Sequence, residues 1–239
     1  GNYNLFTTTN ATYDPTLHVE DCTVDAAYNV VYDSHNTQNF KSVYFGNSIV
    51  KMTVANKPFY STKAKDAHTQ QLIRLDNNVF YAETPLQNYL INCGDRSQAF
   101  QTTRLQVEVT NNTIYNIYQP NIMIRAYVLA GLTVTKNVGY YTGVTAKSYL
   151  TGVYDTAGFT ADKAEVTYNY LYTAPVSDTN FWSAKHTGSY TPANNQMGDG
   201  VEAPFSSMDA AKGYFPVDAS VVKTGAGATY DTKAWFKAE

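Results

Sequence analysis

The sequence reads as all-β: one domain of about ten short strands, with long loops in its second half. Apolar and polar residues alternate with a period of two, most clearly where Leu105, Val107 and Val109 interleave with Gln106, Glu108 and Thr110. The 239 residues include 21 Tyr and 11 Phe, and Tyr with abundant Thr suits pleated, half-buried surfaces. No apolar stretch keeps a helical period beyond about ten residues.

The segment 1–20 has no sustained period and reads as an extended N-terminal arm or edge segment. "DAAYNVVYD" and "FKSVYFGNSIVKMTV" read as strands, with Gly46 and Asn47 bending the second. "QQLIRLDNNVFYAE" predicts an antiparallel hairpin, its turn at Asp76, Asn77 and Asn78 pairing Leu72–Arg74 with Val79–Tyr81. Thr84 as cap, Pro85 at the first position, and Leu86, Tyr89 and Leu90 at helical spacing predict one short helix. Two longer strands follow, Leu105–Val109 and Ile122–Val128, joined through "TNNT" and a Tyr-rich segment that Pro120 can kink.

Beyond Gly131 the texture loosens. "YTGV" at Tyr141 and "LTGV" at Leu150 echo each other, but two copies are too few for a solenoid. A helical turn capped by Thr160 and running to Lys163 should pass into a strand through Val166, Tyr168 and Tyr170. "FWSAKHTGSY" and "GYFPVDASVVK" are weaker strand candidates. "SSMDAAKG" predicts a helix of little more than one turn, with Ser206 as cap, Asp209 in its first turn and Gly213 at the stop. No Pro- or Ser-rich linker divides the chain. A single domain over 1–239 follows, with 224–239 as a C-terminal tail.

Chemistry-bearing motifs are scarce. "HVEDC" gathers His18, Glu20, Asp21 and Cys22, yet on one strand Asp21 points away from His18 and Cys22, and no second cluster completes a tetrahedral site. His186 has Ser and Thr neighbours and nothing to position an acid against it. "GAGAT" at Gly225 to Thr229 lacks the lysine and further glycine of a phosphate loop, and "GDG" at Gly198 lacks the acidic residues of a calcium loop. The expectation is therefore no enzyme: no catalytic, cofactor-binding or metal-binding residue, and no cofactor. Cys22 and Cys93 can pair or remain free thiols. The Asn10 and Asn111 glycan-acceptor patterns are expected by chance in so Asn- and Thr-rich a chain.

A net charge of −3 provides no field to attract nucleic acid, and the basic "KAK" at Lys63 to Lys65 is followed at once by Asp66. No apolar run approaches the roughly 18 residues of a membrane span, and Gly1 opens no signal-peptide pattern.

"RLQVEVTNN" followed by "NIMIRAYVLAGL", with "LYTAPVSDTNFWSAKHTGSYTP" after them, resembles the coat proteins of small non-enveloped viruses, the circular single-stranded DNA type above all. The resemblance covers a minor part of the chain. It implies an antiparallel jelly-roll-like β-sandwich with long loops and a few short helices. It further implies a capsid subunit located in the virion and partnered by copies of itself, by other shell subunits and by a host receptor. Such coats begin with a basic arm and Gly1 onward has none, which leaves nucleic acid as an open partner. The alternative is a secreted bacterial surface protein, a pilus subunit or adhesin, binding host or neighbour. Low charge and many Tyr favour either, because both belong at protein contacts.

Overall fold

The structure is a computed structural model and describes residues 5–8, 15–26, 30–33, 40–62, 71–93, 105–119, 123–126, 129–141, 149–153, 164–172, 181–182, 190, 192–198 and 203–236. The chain winds as a parallel β-solenoid, each turn laying one strand on each of three sheets. The first turn is β1 (Phe6–Thr8), β2 (Thr16–Glu20) and β3 (Thr23–Ala26), the second β4 (Val31–Asp33), β5 (Ser42–Gly46) and β6 (Ile49–Met52). Then come β7 (Tyr60–Thr62), β8 (Gln71–Asp76) and β9 (Val79–Gln87), and β10 (Ile91–Cys93), β11 (Leu105–Thr110) and β12 (Thr113–Tyr118). The series continues with β13 (Ile124–Ala126), β14 (Leu129–Thr135) and β15 (Val138–Tyr140), then β16 (Thr151–Val153), β17 (Ala164–Thr167) and β18 (Tyr170–Tyr172), and ends at β19 (Gln196–Met197). The first sheet runs β1-β4-β7-β10-β13-β16, the second β2-β5-β8-β11-β14-β17, the third β3-β6-β9-β12-β15-β18-β19.

This corrects the antiparallel jelly-roll sandwich. The all-β class is as expected, but the described residues form 19 strands where about ten were expected, and each pairs in parallel with the same strand of the next turn. Leu72–Arg74 pairs with Ser42–Tyr44 and with Gln106–Glu108, not with Val79–Tyr81. Val79–Tyr81 pairs instead with Ile49–Lys51 and Thr113–Tyr115. The predicted hairpin turn is a corner. Asn77 does adopt the left-handed backbone, at φ 55°, but a single such residue redirects the chain from the second sheet to the third without reversing it.

The same corner recurs down the stack. Asp21, Asn47, Asn77, Asn111, Lys136, Tyr168 and Asn194 all have positive φ. The residue after each turns inward, giving the column Cys22, Ser48, Asn78, Asn112, Asn137, Asn169 and Asn195. Backbone N–H groups of Ser48, Asn78, Asn112, Asn137 and Asn169 each donate to the side-chain oxygen of the next asparagine, at 2.8 to 3.0 Å. Asn112 is fully buried and fully paired: Nδ2 donates to Leu75 and Thr110 carbonyls, and Oδ1 accepts from the Asn78 backbone and amide. This ladder pins the register of the second and third sheets.

The three sheets enclose one interior of Val, Ile, Leu and aromatic side chains, where Phe59 touches Phe45 at 4.9 Å and Phe80 at 4.8 Å between ring centroids. The helix at Thr84 and Pro85 is absent. That stretch belongs to β9, in the span where its pairing with β12 shifts register between Tyr115 and Ile117, so Pro85 is exposed at an irregularity. The helix at Asp209 is also corrected. Asp209 and Tyr214 pair antiparallel around a tight turn, Asp209 Oδ1 accepts from the N–H groups of Ala211 and Lys212, and Gly213 takes φ 67°. The turn at Thr160 to Lys163 lies outside the described residues, as do Pro120, Ile122 and Tyr127 to Val128. Tyr168 and Tyr170 are not on one strand, because the chain turns its corner between them.

Within 1–20, β1 and β2 are the edge strands of the first and second sheets. Residues 203–236 form a strap over the outer face of the third sheet. Phe205, Phe215, Val222, Ala226 and Ala228 bury against Ile49, Val79, Tyr81, Val138 and Tyr170. Cys22 is a free thiol, and the Cys93 side chain lies outside what the structure describes.

Candidate functional site

Parallel register lines up the outward residues of the second sheet into three rows along the solenoid axis, with successive residues about 4.8 Å apart. One row is His18, Tyr44, Arg74, Glu108, Thr133 and Glu165; the second is Glu20, Gly46, Asp76, Thr110, Thr135 and Thr167; the third is Thr16, Ser42, Leu72, Gln106 and Gly131. The inward residues between them, such as Val43, Ile73, Val107 and Val134, are buried. Strand alternation thus leaves a polar face over an apolar floor.

The face is cross-linked. Arg74 Nε meets Glu108 Oε2 at 2.9 Å, and His18 Nε2 meets Glu20 Oε2 at 3.2 Å. Asp76 Oδ1 accepts from Thr110 Oγ1 at 2.5 Å and from Asn111 Nδ2 at 2.9 Å. The hydroxyls of Thr135 and Thr167 are 3.2 Å apart. Tyr44 lies down along β5: a Cβ built on Gly46 would sit 2.5 Å from Tyr44 Cζ, so the phenol occupies the space that glycine leaves. Its other neighbour is the His18 ring, with centroids 4.5 Å apart. Burial raises the Tyr44 pKa, and the nearby Glu20, Asp76 and Asp21 carboxylates raise it further against Arg74.

The outer face of the third sheet is built differently. Its register places Lys51, Tyr81, Tyr115, Tyr140 and Tyr172 in one row. Tyr140 contacts Tyr115 and Tyr172 at 5.7 and 5.1 Å, while Phe215 of the strap stacks on Tyr115 at 4.0 Å. Towards the β3 edge the row continues through Lys51, held by a 2.7 Å ion pair with Glu83, to Asp25. The strap then crosses the corner. Gly227 N–H donates to the Lys136 carbonyl, Ala228 N–H to Thr113 Oγ1, and Thr229 N–H to Asn77 Oδ1. Thr232 bonds Asn47 and Asn77, and the buried Lys233 donates to the Thr229 carbonyl at 2.7 Å.

The "HVEDC" residues separate. His18 and Glu20 face outward from β2, Asp21 makes the corner, and Cys22 turns inward, where its N–H donates to Ser48 Oγ. Among the described residues no group of three or more His, Cys, Asp or Glu is placed to hold a metal ion. His186 lies outside the described residues. Gly225 to Thr229 belongs to the strap, with Ala226, Gly227 and Ala228 buried. Sequence reading missed the rows of the second sheet, because strands read as hairpin partners place different side chains beside one another.

No protein-family model matches the chain, and no curated protein or solved structure matches it. Among the described residues no helix is long and apolar enough to cross a membrane.

Proposed function

We propose that the protein is a structural or surface module that works by contact and not by catalysis, and that it makes that contact through the outer face of the second sheet. One observation carries this reading: the third sheet's outer face is covered by the chain's own strap, while the second sheet's rows stand half-exposed in regular register. Solenoids present long regular faces of this kind to partners. The carboxylates there are already engaged, Glu108 by Arg74, Asp76 by Thr110 and Asn111, and Glu20 by His18. That arrangement suits a binding surface better than an acid–base pair.

The jelly-roll topology that supported a coat-protein reading is not present, and what survives of it is the coarser idea of a contact-making subunit. A Thr133→Arg variant tests the site by placing a long charged side chain in the middle of the face. Binding of the wild type and the variant to immobilised polysaccharides, and self-association by analytical ultracentrifugation, are the readouts. The reading expects the substitution to abolish whichever contact the wild type makes. Turnover of a polysaccharide by the wild type would overturn it.

A further inference from the structure

Resting on the contact reading of the second sheet, we infer that the Tyr44–Gly46 platform is a subsite for a neutral carbohydrate. Gly46 interrupts a row that otherwise carries Glu20 on one side and Asp76 on the other. The missing side chain lets the Tyr44 phenol lie into the row, between the two carboxylates. Its hydroxyl makes no hydrogen bond to a described residue and so keeps both its donor and its acceptor capacity. Glu20 Oε1 and Asp76 Oδ2 are likewise unengaged among the described residues, their partner oxygens being held by His18 and by Thr110 and Asn111.

The combination selects its ligand by chemistry. An aromatic ring beside His18 offers a small apolar surface for sugar C–H groups, and the flanking oxygens accept hydroxyl protons. Charge excludes polyanions. Glu20, Asp21 and Asp76 surround the phenol, and the nearby cation Arg74 is held by Glu108. A protein partner would need an apolar centre that one half-buried ring does not supply. A sugar residue, uncharged and ringed with hydroxyls, meets all of these conditions.

The test is binding of the purified chain to a panel of neutral oligosaccharides, with a polyuronate as anionic control and polylysine as cationic control. For the neutral glycan bound best, Tyr44→Ala should weaken binding about tenfold, and Tyr44→Phe about threefold, through loss of the hydroxyl. Gly46→Ala is the sharper variant, since its methyl displaces the ring from the row and should mimic Tyr44→Ala with the Tyr retained. Binding should change little with salt, because no net charge is paired. If Thr133→Arg abolishes glycan binding while Tyr44→Ala and Gly46→Ala leave it intact, the sheet face is right and this subsite is wrong. Failure of every neutral glycan, or binding to polylysine that salt removes, overturns the inference.

Discussion

The second and third sheets share one interior and one corner ladder, yet their outer faces have opposite fates. The third carries a tyrosine row, and the chain returns to cover it: Phe215 stacks on Tyr115, and Tyr230 donates to the Gly213 carbonyl while accepting from the Phe215 N–H. The second carries Thr, Arg and carboxylates that hydrogen-bond along the sheet and need no cover. The difference lies in what a polar-tipped ring requires. A phenol ring buries much apolar area and keeps one hydrogen bond, so a row of them forms an interface; a row of Thr and Glu remains stable in water. Much of the surplus of tyrosine that points to contact is therefore consumed within the molecule.

Five changes sharpen or break this contrast. The largest effect belongs to the shared corner, where both faces should respond alike. Asn112→Leu would strand the Asn78 N–H and the Leu75 and Thr110 carbonyls, at a cost of order 5 kcal/mol in urea unfolding. Phe215→Ala strikes the covered face alone. Phe215 is fully buried, so the loss should be about 4 kcal/mol in the same assay. Gly227→Ala acts on the strap's close approach. At φ 102°, with Val138 Cγ2 3.0 Å from a built Cβ, the substitution should cost about 2 kcal/mol, seen as a lower melting temperature.

The fourth change is in pH. Burial lowers the Lys233 ammonium to about 8, against the attraction of Asp76 and Asp21. In the unfolded chain the lysine holds its proton up to its ordinary 10.5, so above pH 8 the unfolded state binds more protons and stability rises with pH. The rise should end near pH 10, where Tyr81, Tyr140 and Tyr230, all raised by burial, begin to act in the opposite direction. Unfolding midpoints measured across that window should increase in the wild type and stay level in Lys233→Met. The smallest effect is on the open face. Tyr44→Ala should shift stability by no more than about 0.5 kcal/mol, and a larger loss would show that the face is structural.

Only some strands were legible in the sequence, since β12 reads as a Tyr-rich connection, part of β9 as a helix and β2 as an aperiodic arm, and the pairing was not legible at all. Alternation such as Leu105 to Thr110 marks a strand with one dry face in any β fold, parallel or antiparallel. Asn77 and Gly46–Asn47 were readable as turn positions, but a left-handed residue serves a corner as well as a hairpin. The signal that would have separated them is the inward residue after each corner, in "VTNN", "VTKN" and "VTYN" at Val109, Val134 and Val166. Successive side chains of that column stand 26, 30, 34, 25, 32 and 26 residues apart, and so irregular a period hides a repeat. Pro85 misled because a strand irregularity tolerates proline as well as a helix start does. Of the candidate site, His18 and Glu20 were noticed in sequence, but Tyr44, Arg74 and Asp76 join them only through parallel register.

Hydroxyl-radical footprinting of the tyrosines tests the contrast between the two faces most directly. Tyr168, 44% exposed at a corner, should react fast and the partly exposed Tyr44 measurably, while Tyr81 and Tyr170, at 4% and 1% exposure beneath the strap, stay protected until Phe215→Ala loosens it. Tyr81 and Tyr170 reacting as fast as Tyr168 in the wild type would contradict the account.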